Sequence, residues 1–409
     1  MSTLATSLPN TAAPTTTAAA PTSVPWYIPL GALAITSATV GGAWDVSWHR
    51  SIGRDTFWTP AHLLIYACGI LAGVICAYLI LRTTFGAAAN PETARLRAAS
   101  VNVLGLRAPL GAFLAAWGGV AMLTSAPFDN WWHAAYGLDV KIISPPHTLL
   151  ILGIRGVAVG ILFLTLAAMN RARTAVPNPA APNRTYTNLR RLFLYIGGLA
   201  LGGQMFFLQE YTWDVKLHTA AAYVAMSIAV PIIFAIFAEV SGYRWAATVT
   251  AAVYTLVVLG EILLLPLFPA TPKLGPVFNP ITHLVPAKFP ILLLAPAFAF
   301  DLLWHRARAR SWKPWQIALA SGIVFVAVLT AVEWPFANFL LSHASENRFF
   351  GTVYFDYNSR PDGFDRLRRF FQPTSAGAMS FALLRASLYA AISTWIGLTF
   401  GRWMRTVLR

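Results

Sequence analysis

Long apolar runs alternate with short polar connections along most of this chain. A membrane-spanning helix needs about 20 mostly apolar residues, and ten runs come close to that length. We therefore predict an all-α fold, a polytopic transmembrane bundle of about ten helices built from repeated helical hairpins. The predicted helices cover residues 26–43, 59–81, 106–125, 146–169, 191–209, 217–240, 245–267, 287–304, 314–340 and 378–400.

The same pattern divides the chain into regions. Residues 1–24 are rich in Ala, Thr and Pro and carry no charged side chain, which is typical of a disordered tail. Residues 25–170 hold the two hairpins that carry candidate metal ligands, and residues 190–340 add further hairpins. We predict a long outer loop at 341–377 and a last helix with a basic tail at 378–409.

Composition agrees with a membrane protein. The chain is 57% hydrophobic and 11% charged, whereas a soluble domain carries about 25% charged residues. A net charge of +15 suggests nucleic acid only in a soluble protein. Here the arginines lie in short segments between apolar runs, as in cytoplasmic loops under the positive-inside rule. We expect no nucleic-acid partner, a multi-pass chain in a bacterial-type inner (cytoplasmic) membrane, and both termini in the cytoplasm.

Two connections predicted to face outward share one pattern. Residues 44–62 read WDVSWHRSIGRDTFWTPAH, and residues 128–147 read FDNWWHAAYGLDVKIISPPH. In each, an aromatic residue precedes Asp, His follows four residues after the Asp, and Gly follows four residues after the His. A second Asp comes next, and then a proline and a second His at the head of the following helix. We interpret this as an internal repeat.

The repeat has the spacing of a metal site. Asp and the first His are four residues apart and share one face of a helix, and the second His lies on the next helix. Each hairpin can therefore aim a carboxylate and two imidazoles at one point, which suits copper, zinc or ferrous iron. Ionisable groups at membrane depth are costly and usually functional. The predicted ligands are Asp45, His49 and His62 in the first set and Asp129, His133 and His147 in the second.

Each of these residues also has a simpler interpretation. A single His at a membrane interface is usually an anchoring or hydrogen-bonding residue, and a single Asp near a helix end is usually a cap or an ion-pair partner. Asp45 could pair with Arg54, and Asp129 with Lys141. The residues expected to surround the ligands are Arg54, Asp55 and Asp139.

Two weaker copies of the motif follow. Residues 213–218 read WDVKLH and residues 278–283 read FNPITH, but neither is followed by a second His at the start of the next helix. Hydrogen bonding at the outer interface is the alternative role. The weaker metal candidates are Asp214, His218, Asn279 and His283.

Several acids inside or at the ends of apolar runs are functional candidates by default. They can serve as a proton path, as interhelical hydrogen-bond partners, or as contacts to metal ligands, and the sequence does not choose among these roles. These acids are Glu210, Glu239 and Glu261. His343, with Glu333 and Glu346, could help line a site at the outer end of the ninth predicted helix, but a simpler structural role fits these three residues better.

The first hairpin resembles a known family. The stretch SWHRSIGRDTFWTPAH is similar to the C subunit of the copper membrane monooxygenases, which include particulate methane monooxygenase and ammonia monooxygenase. In that subunit an Asp-x3-His-x12-His set binds one metal and an Asn-x3-His-x13-His set follows. The two predicted sets match both spacings, with Asp129 in place of Asn. The resemblance covers residues 26–169, and residues 190–409 have no counterpart in it.

The resemblance implies a metal-binding, copper-containing subunit of an oxidoreductase complex. The implied reaction is oxidation of a small apolar substrate or ammonia by dioxygen, with quinol or another electron donor and with other membrane subunits as partners. Two alternatives remain open. One is a non-catalytic assembly or scaffold subunit with a structural metal, and the other is a metal or small-molecule transporter.

Overall fold

The chain folds into a bundle of long helices. The computed structural model describes residues 20–137, 144–175, 183–208, 216–273, 280–287, 290–355, 357 and 373–408. Within these ranges there are eleven α-helices, together with one β-hairpin and two short 3-10 turns, Leu265–Leu267 and His343–Ser345. The helices are α1 Tyr27–Ser51, α2 Pro60–Phe85, α3 Pro91–Ala98, α4 Leu110–Tyr136, α5 Pro145–Thr174, α6 Arg184–Phe207, α7 Ala220–Ser241, α8 Ala246–Leu264, α9 Leu294–Ala309, α10 Pro314–Leu340 and α11 Ala376–Met404.

Seven of these helices are long and apolar enough to cross a membrane, namely α2, α4, α5, α7, α8 with its 3-10 extension, α10 and α11. The chain is therefore a helical membrane protein. Each of the ten predicted runs contains a helix, but α1 and α6 are less apolar than the seven candidate spans, and α9 has only 16 residues. The number of spans and the orientation of the termini remain predictions.

The structure differs from the predicted helices at several boundaries. The first predicted helix continues to Ser51, so it includes the first two candidate ligands. The third begins only at Leu110, because residues 101–108 form a hairpin of β1, Val101–Val103, and β2, Leu106–Ala108. Leu104 and Gly105 form its turn with φ values of 52° and 84°, as a two-residue hairpin turn requires. The all-α prediction missed this small sheet.

Helices α4 and α5 approach each other through glycines. A Cβ atom added at Gly118 would lie 2.4 Å from the backbone nitrogen of Val157, and one at Gly160 would lie 2.4 Å from the carbonyl oxygen of Gly111. Small residues of this kind let membrane helices pack backbone to backbone. This contact fixes the second hairpin, which carries the second candidate set.

A distant segment holds the end of α1 that carries the candidate ligands. The hydroxyl of Ser47 donates to the carbonyl of Val285 at 2.6 Å, and that of Ser51 accepts from the Val285 amide at 2.7 Å. Arg50 donates to the carbonyls of Pro286 and Ala287, both at 2.8 Å. We call residues 285–287 the brace. The brace belongs to the half of the chain without resemblance to the monooxygenase subunit, and it positions the first set.

At the opposite end of the bundle, a buried carboxylate joins three helices. Glu239 of α7 has a side chain only 2% exposed and pairs with Arg308 of α9 and with Arg405, the residue that directly follows α11. The Arg405 guanidinium lies 3.3 Å from its carboxylate. Gly401 leaves room for the Glu239 side chain, because a Cβ there would lie 2.9 Å from the Cβ of Glu239.

Candidate metal centre

Both hairpins form by the same local rules. Helix α1 ends at Ser51 and α4 ends at Tyr136. Gly53 and Gly137 follow these ends with φ values of 84° and 85°, a conformation that glycine adopts without strain. Helix α2 begins at Pro60, where proline suits the first turn. The glycines of the sequence repeat therefore end the first helix of each hairpin.

The first candidate set comes together at the end of the bundle that we call the ligand end. The ring nitrogen Nε2 of His62 lies 3.0 Å from a carboxylate oxygen of Asp45, and Nε2 of His49 lies 3.8 Å from the other oxygen. The donor atoms of Asp45, His49 and His62 all lie within 4.8 Å of one another. Among the described residues, only this group has three such donors so close together.

Asp55 lies as close to the imidazoles as Asp45 does. Its Oδ2 atom is 3.3 Å from Nε2 of His62 and 3.5 Å from Nε2 of His49. The sequence placed Asp55 among the surroundings of the site, but this position also suits a direct ligand. Arg54 lies beside these residues but makes no ion pair with Asp45. The simpler interpretation, in which Asp45 is the ion-pair partner of Arg54, therefore has no support in the structure.

The backbone fixes the orientation of His62. Its Nδ1 atom lies 2.9 Å from the carbonyl oxygen of Thr56, which can only accept, so Nδ1 carries the hydrogen. The Thr56 amide in turn donates to the hydroxyl of Thr59 at 2.8 Å, closing the turn before α2. In the neutral ring, Nε2 then presents its lone pair to the Asp45 carboxylate. Metal-binding histidines are commonly oriented in this way by a second hydrogen bond.

The spacing of these groups fits one bound cation. Donors on a tetrahedral metal with bonds of about 2.0–2.1 Å lie about 3.3 Å apart. The nitrogen–oxygen distances of the first set range from 3.0 to 3.8 Å. Moreover, Oδ1 of Asp45 is buried and has no hydrogen bond, although buried carboxylate oxygens normally have one. A cation between these acceptors would satisfy them.

The second set is more open. Asp129 lies between the two imidazoles, with its oxygens 3.5 Å from Nε2 of His133 and 3.4 Å from Nε2 of His147. The Nδ1 atom of His133 lies 3.2 Å from the Gly137 carbonyl, so a backbone carbonyl orients the first His of this set, whereas in the first set it orients the second His, His62. As in Asp45, the Oδ1 atom of Asp129 is buried without a hydrogen bond. Lys141 and Asp139 lie outside the described residues.

The two sets open into one cavity of about 200 Å³. This was not predicted, because each hairpin was expected to aim at its own point; α2 and α4 pack side by side and bring the points together. Tyr66 of α2 also lines the cavity and interacts electrostatically with Asp45 and Asp129. It lies four residues after His62 on the same helix face, a signal that the sequence analysis missed. The ligand candidates in the wall are Asp45, Asp55, His62, Asp129, His133 and His147.

The weaker candidates lie apart from this cavity. His218 has both ring nitrogens in hydrogen bonds, at 3.0 Å to the Tyr357 hydroxyl and 2.9 Å to the Asn338 side-chain oxygen. The ring of His283 contacts Thr282 at 2.9 Å and a nitrogen of Arg348 at 3.3 Å. Neither ring presents a nitrogen to a metal in this conformation. Asp214 and Asn279 lie outside the described residues.

Comparison with known proteins adds no relative. No protein-family model, no curated protein and no solved structure matches this chain. The function therefore has to be argued from the chemistry of the site.

We expect Thr59→Val to weaken metal binding at the first set. The substitution keeps the side-chain size but removes the hydroxyl that accepts from the Thr56 amide, so the carbonyl that orients His62 is less well fixed. Loss of such a supporting contact lowers metal affinity about 10–100-fold, which a chelator-competition titration measures. Thr330→Val, in α10 with its hydroxyl bonded to its own helix, is the matched control. Equal affinities of Thr59→Val and wild type would contradict this role.

Proposed function

We propose that this protein is a copper-binding integral membrane subunit of a monooxygenase-type complex that oxidises a small apolar substrate or ammonia with dioxygen. The metal-binding part of the proposal rests on the geometry of the site. The oxygen chemistry rests on the resemblance of residues 26–169 to the C subunit of the copper membrane monooxygenases.

One observation carries the metal-binding proposal. The Oδ1 atom of Asp45 is buried without a hydrogen bond, 3.0 Å from Nε2 of His62, while Nδ1 of that ring is committed to the Thr56 carbonyl. Two acceptors that face each other at this distance are stabilised by a cation between them. Protons and metal ions compete for such a nitrogen, so binding of the metal would release a proton.

The residues of the cavity have distinct roles in this proposal. Asp45, His49 and His62 would hold the first ion, with Asp55 as a further oxygen donor. Copper supplies the redox chemistry when bound, because it accepts electrons and, once reduced, reacts with dioxygen. Ile65 lines the cavity beside the carboxylates and offers apolar surface to the substrate.

The second set lies across the same cavity. Asp129, His133 and His147 would hold another ion, with a carboxylate where the resembling family has Asn. The extra negative charge favours a harder or more highly charged ion. Zinc and iron therefore remain alternatives to copper at this set.

The proposed setting follows the sequence analysis. The lipid bilayer surrounds the bundle, and the metal sets face the outer side of a bacterial-type inner membrane. Other membrane subunits complete the complex, and quinol or another donor supplies electrons. One alternative is a scaffold subunit in which the metal is structural. The buried acids of the other half favour the transporter alternative.

Metal analysis and oxygen uptake test the proposal together. Purified wild type, His49→Ala and His133→Ala are loaded with copper and compared by metal content and copper EPR. His343→Ala is the matched control, because the exposed His343 ring pairs with Glu346 and lies outside the cavity. We expect each of the two ligand variants, His49→Ala and His133→Ala, to lose one copper signal and the control to keep both.

Three results separate the candidate functions. Equal copper content and equal spectra in all four proteins would refute the metal site. In a second experiment, the wild-type complex is supplied with quinol and a small hydrocarbon or ammonia. If the two variants lose copper but the wild-type complex shows no substrate-dependent oxygen uptake, the scaffold function is favoured. Transport of the metal across the membrane of vesicles that contain the purified protein would favour the transporter.

A further inference from the structure

A second group of buried polar side chains lies in the half of the chain that the metal sets do not use. Its centre is Glu333 of α10, seven residues before the last residue of that helix, Leu340, or about 10 Å along the axis. Glu333 is 0% exposed. Its Oε2 atom accepts the Leu292 amide at 2.9 Å, but its Oε1 atom is buried and has no hydrogen bond.

Glu333 differs from the buried acids Glu239 and Asp301, while Glu261 is a further buried acid, whose Oε1 atom accepts the Ala287 amide at 2.6 Å. Glu239 is neutralised by two arginines. Asp301 accepts the amides of Ala247 and Thr248 and so caps the start of α8. In the described part of the chain, no Lys, Arg or His forms an ion pair with Glu333. A carboxylate without a counter-charge at this depth is strongly unfavourable, so the neutral acid is the stable form.

Three buried tyrosines lie near this acid. Tyr223 of α7 is fully buried, its hydroxyl has no hydrogen bond, and it interacts electrostatically with Glu333. Tyr254 of α8 and Tyr357 of the loop before α11 interact with Glu333 in the same way. Helices α9 and α11 also pack against α10. Over the described residues they place no charged side chain in contact with Glu333, and Arg385 of α11 is exposed.

The hydroxyls lead from Glu333 to the ligand end of the bundle. Tyr357 lies near Tyr223, and its hydroxyl lies 3.0 Å from Nδ1 of His218. The other ring nitrogen of His218 lies 2.9 Å from the side-chain oxygen of Asn338, which is exposed. Tyrosine and histidine side chains both donate and accept protons, so the series can pass a proton between the surface and Glu333.

We propose that Glu333 is a proton-binding site that is neutral in the resting protein and exchanges its proton with the ligand end through Tyr223, Tyr357 and His218. On release, the carboxyl O–H bond breaks, the electron pair stays on Glu333, and water at the surface takes up the proton. Uptake reverses these steps. The site goes beyond the proposed copper chemistry and shares no ligand candidate of the cavity.

Infrared difference spectroscopy on the full-length protein in lipid nanodiscs tests the site. At neutral pH we expect a carbonyl band of a protonated carboxylic acid that is absent in Glu333→Gln. The band should persist in Glu346→Gln, the control, because Glu346 is an exposed carboxylate at the surface. Tyr223→Phe should keep the band but shift its frequency, because Tyr223 lies near Glu333. This second variant tests the assignment of the band even if Glu333→Gln does not fold. Copper content should stay at the wild-type level in each variant.

The rate of hydrogen–deuterium exchange of this band tests the route. Tyr357→Phe removes the hydroxyl next to His218, so we expect exchange to slow by about tenfold. Tyr354→Phe, whose hydroxyl contacts the exposed Thr282, should exchange at the wild-type rate. A band that persists in Glu333→Gln, is missing from wild type, or is abolished by sodium ions would overturn the proton site. Equal exchange rates in Tyr357→Phe and wild type would overturn the route.

Discussion

Replacing His62 with alanine is expected to abolish tight copper binding at the first set. Nε2 of His62 lies within 3.3 Å of both Asp45 and Asp55, so the variant removes the donor that contacts both carboxylates. Changes to residues that merely orient a ligand cost about 10–100-fold in affinity, and loss of the ligand itself should exceed about 100-fold. Competition with a copper chelator measures the change, and EPR resolves the two sets.

The second set provides the internal control. Asp129, His133 and His147 lie across the cavity and do not depend on the His62 ring for their mutual contacts. Their copper signal should therefore persist in His62→Ala. A variant that binds copper at the first set as tightly as wild type would show that the imidazole is not a ligand. Loss of both signals would indicate a collapsed cavity rather than a missing donor.

Removing both arginines around Glu239 is expected to destabilise the protein strongly. The variant Arg308→Met/Arg405→Met leaves a carboxylate that is 2% exposed without a counter-charge. Breaking a buried ion pair from one side costs about 3–5 kcal/mol. We expect the free energy of unfolding, measured by SDS titration in mixed micelles, to fall by that amount.

A third substitution distinguishes charge from packing. Adding Glu239→Leu to the double variant removes the unpaired charge, and replacing a whole buried ion pair with apolar side chains is often nearly neutral. The triple variant should therefore recover most of the lost stability. If it is as unstable as the double variant, the arginines act through packing, and the charge argument for this site is wrong.

Local features of the fold were predictable from the sequence, but long-range contacts were not. Apolar runs located the helices, because the bilayer demands them. Hydropathy ended the first helix at residue 43, since the polar turns carrying Asp45 and His49 do not look like a membrane segment, whereas the structure continues it to Ser51. The contact of Ser47 with Val285 spans 238 positions, and no pattern along the chain reveals it.

The candidate site shows the same division. Spacing predicted the members of each set, because ligands four residues apart on a helix meet by local geometry. The shared cavity depends on how α2 packs against α4, which spacing does not encode. His218 and His283 carry the same motif as the main sets. Their rings instead contact residues distant in sequence, such as Tyr357 for His218, so the motif alone could not separate them from ligands.

The brace has a consequence for the order of biosynthesis. The end of α1 is made early, but Val285 follows 238 residues later, which at about 5–20 residues per second is a delay of roughly 10–50 s. During that interval Asp45 and His49 stand on a helix end that nothing from the second half holds. Copper supplied to the nascent chain would encounter candidate ligands that are not yet held in their final positions. Under the proposed function, copper would therefore bind in the intended geometry only after the brace has been inserted.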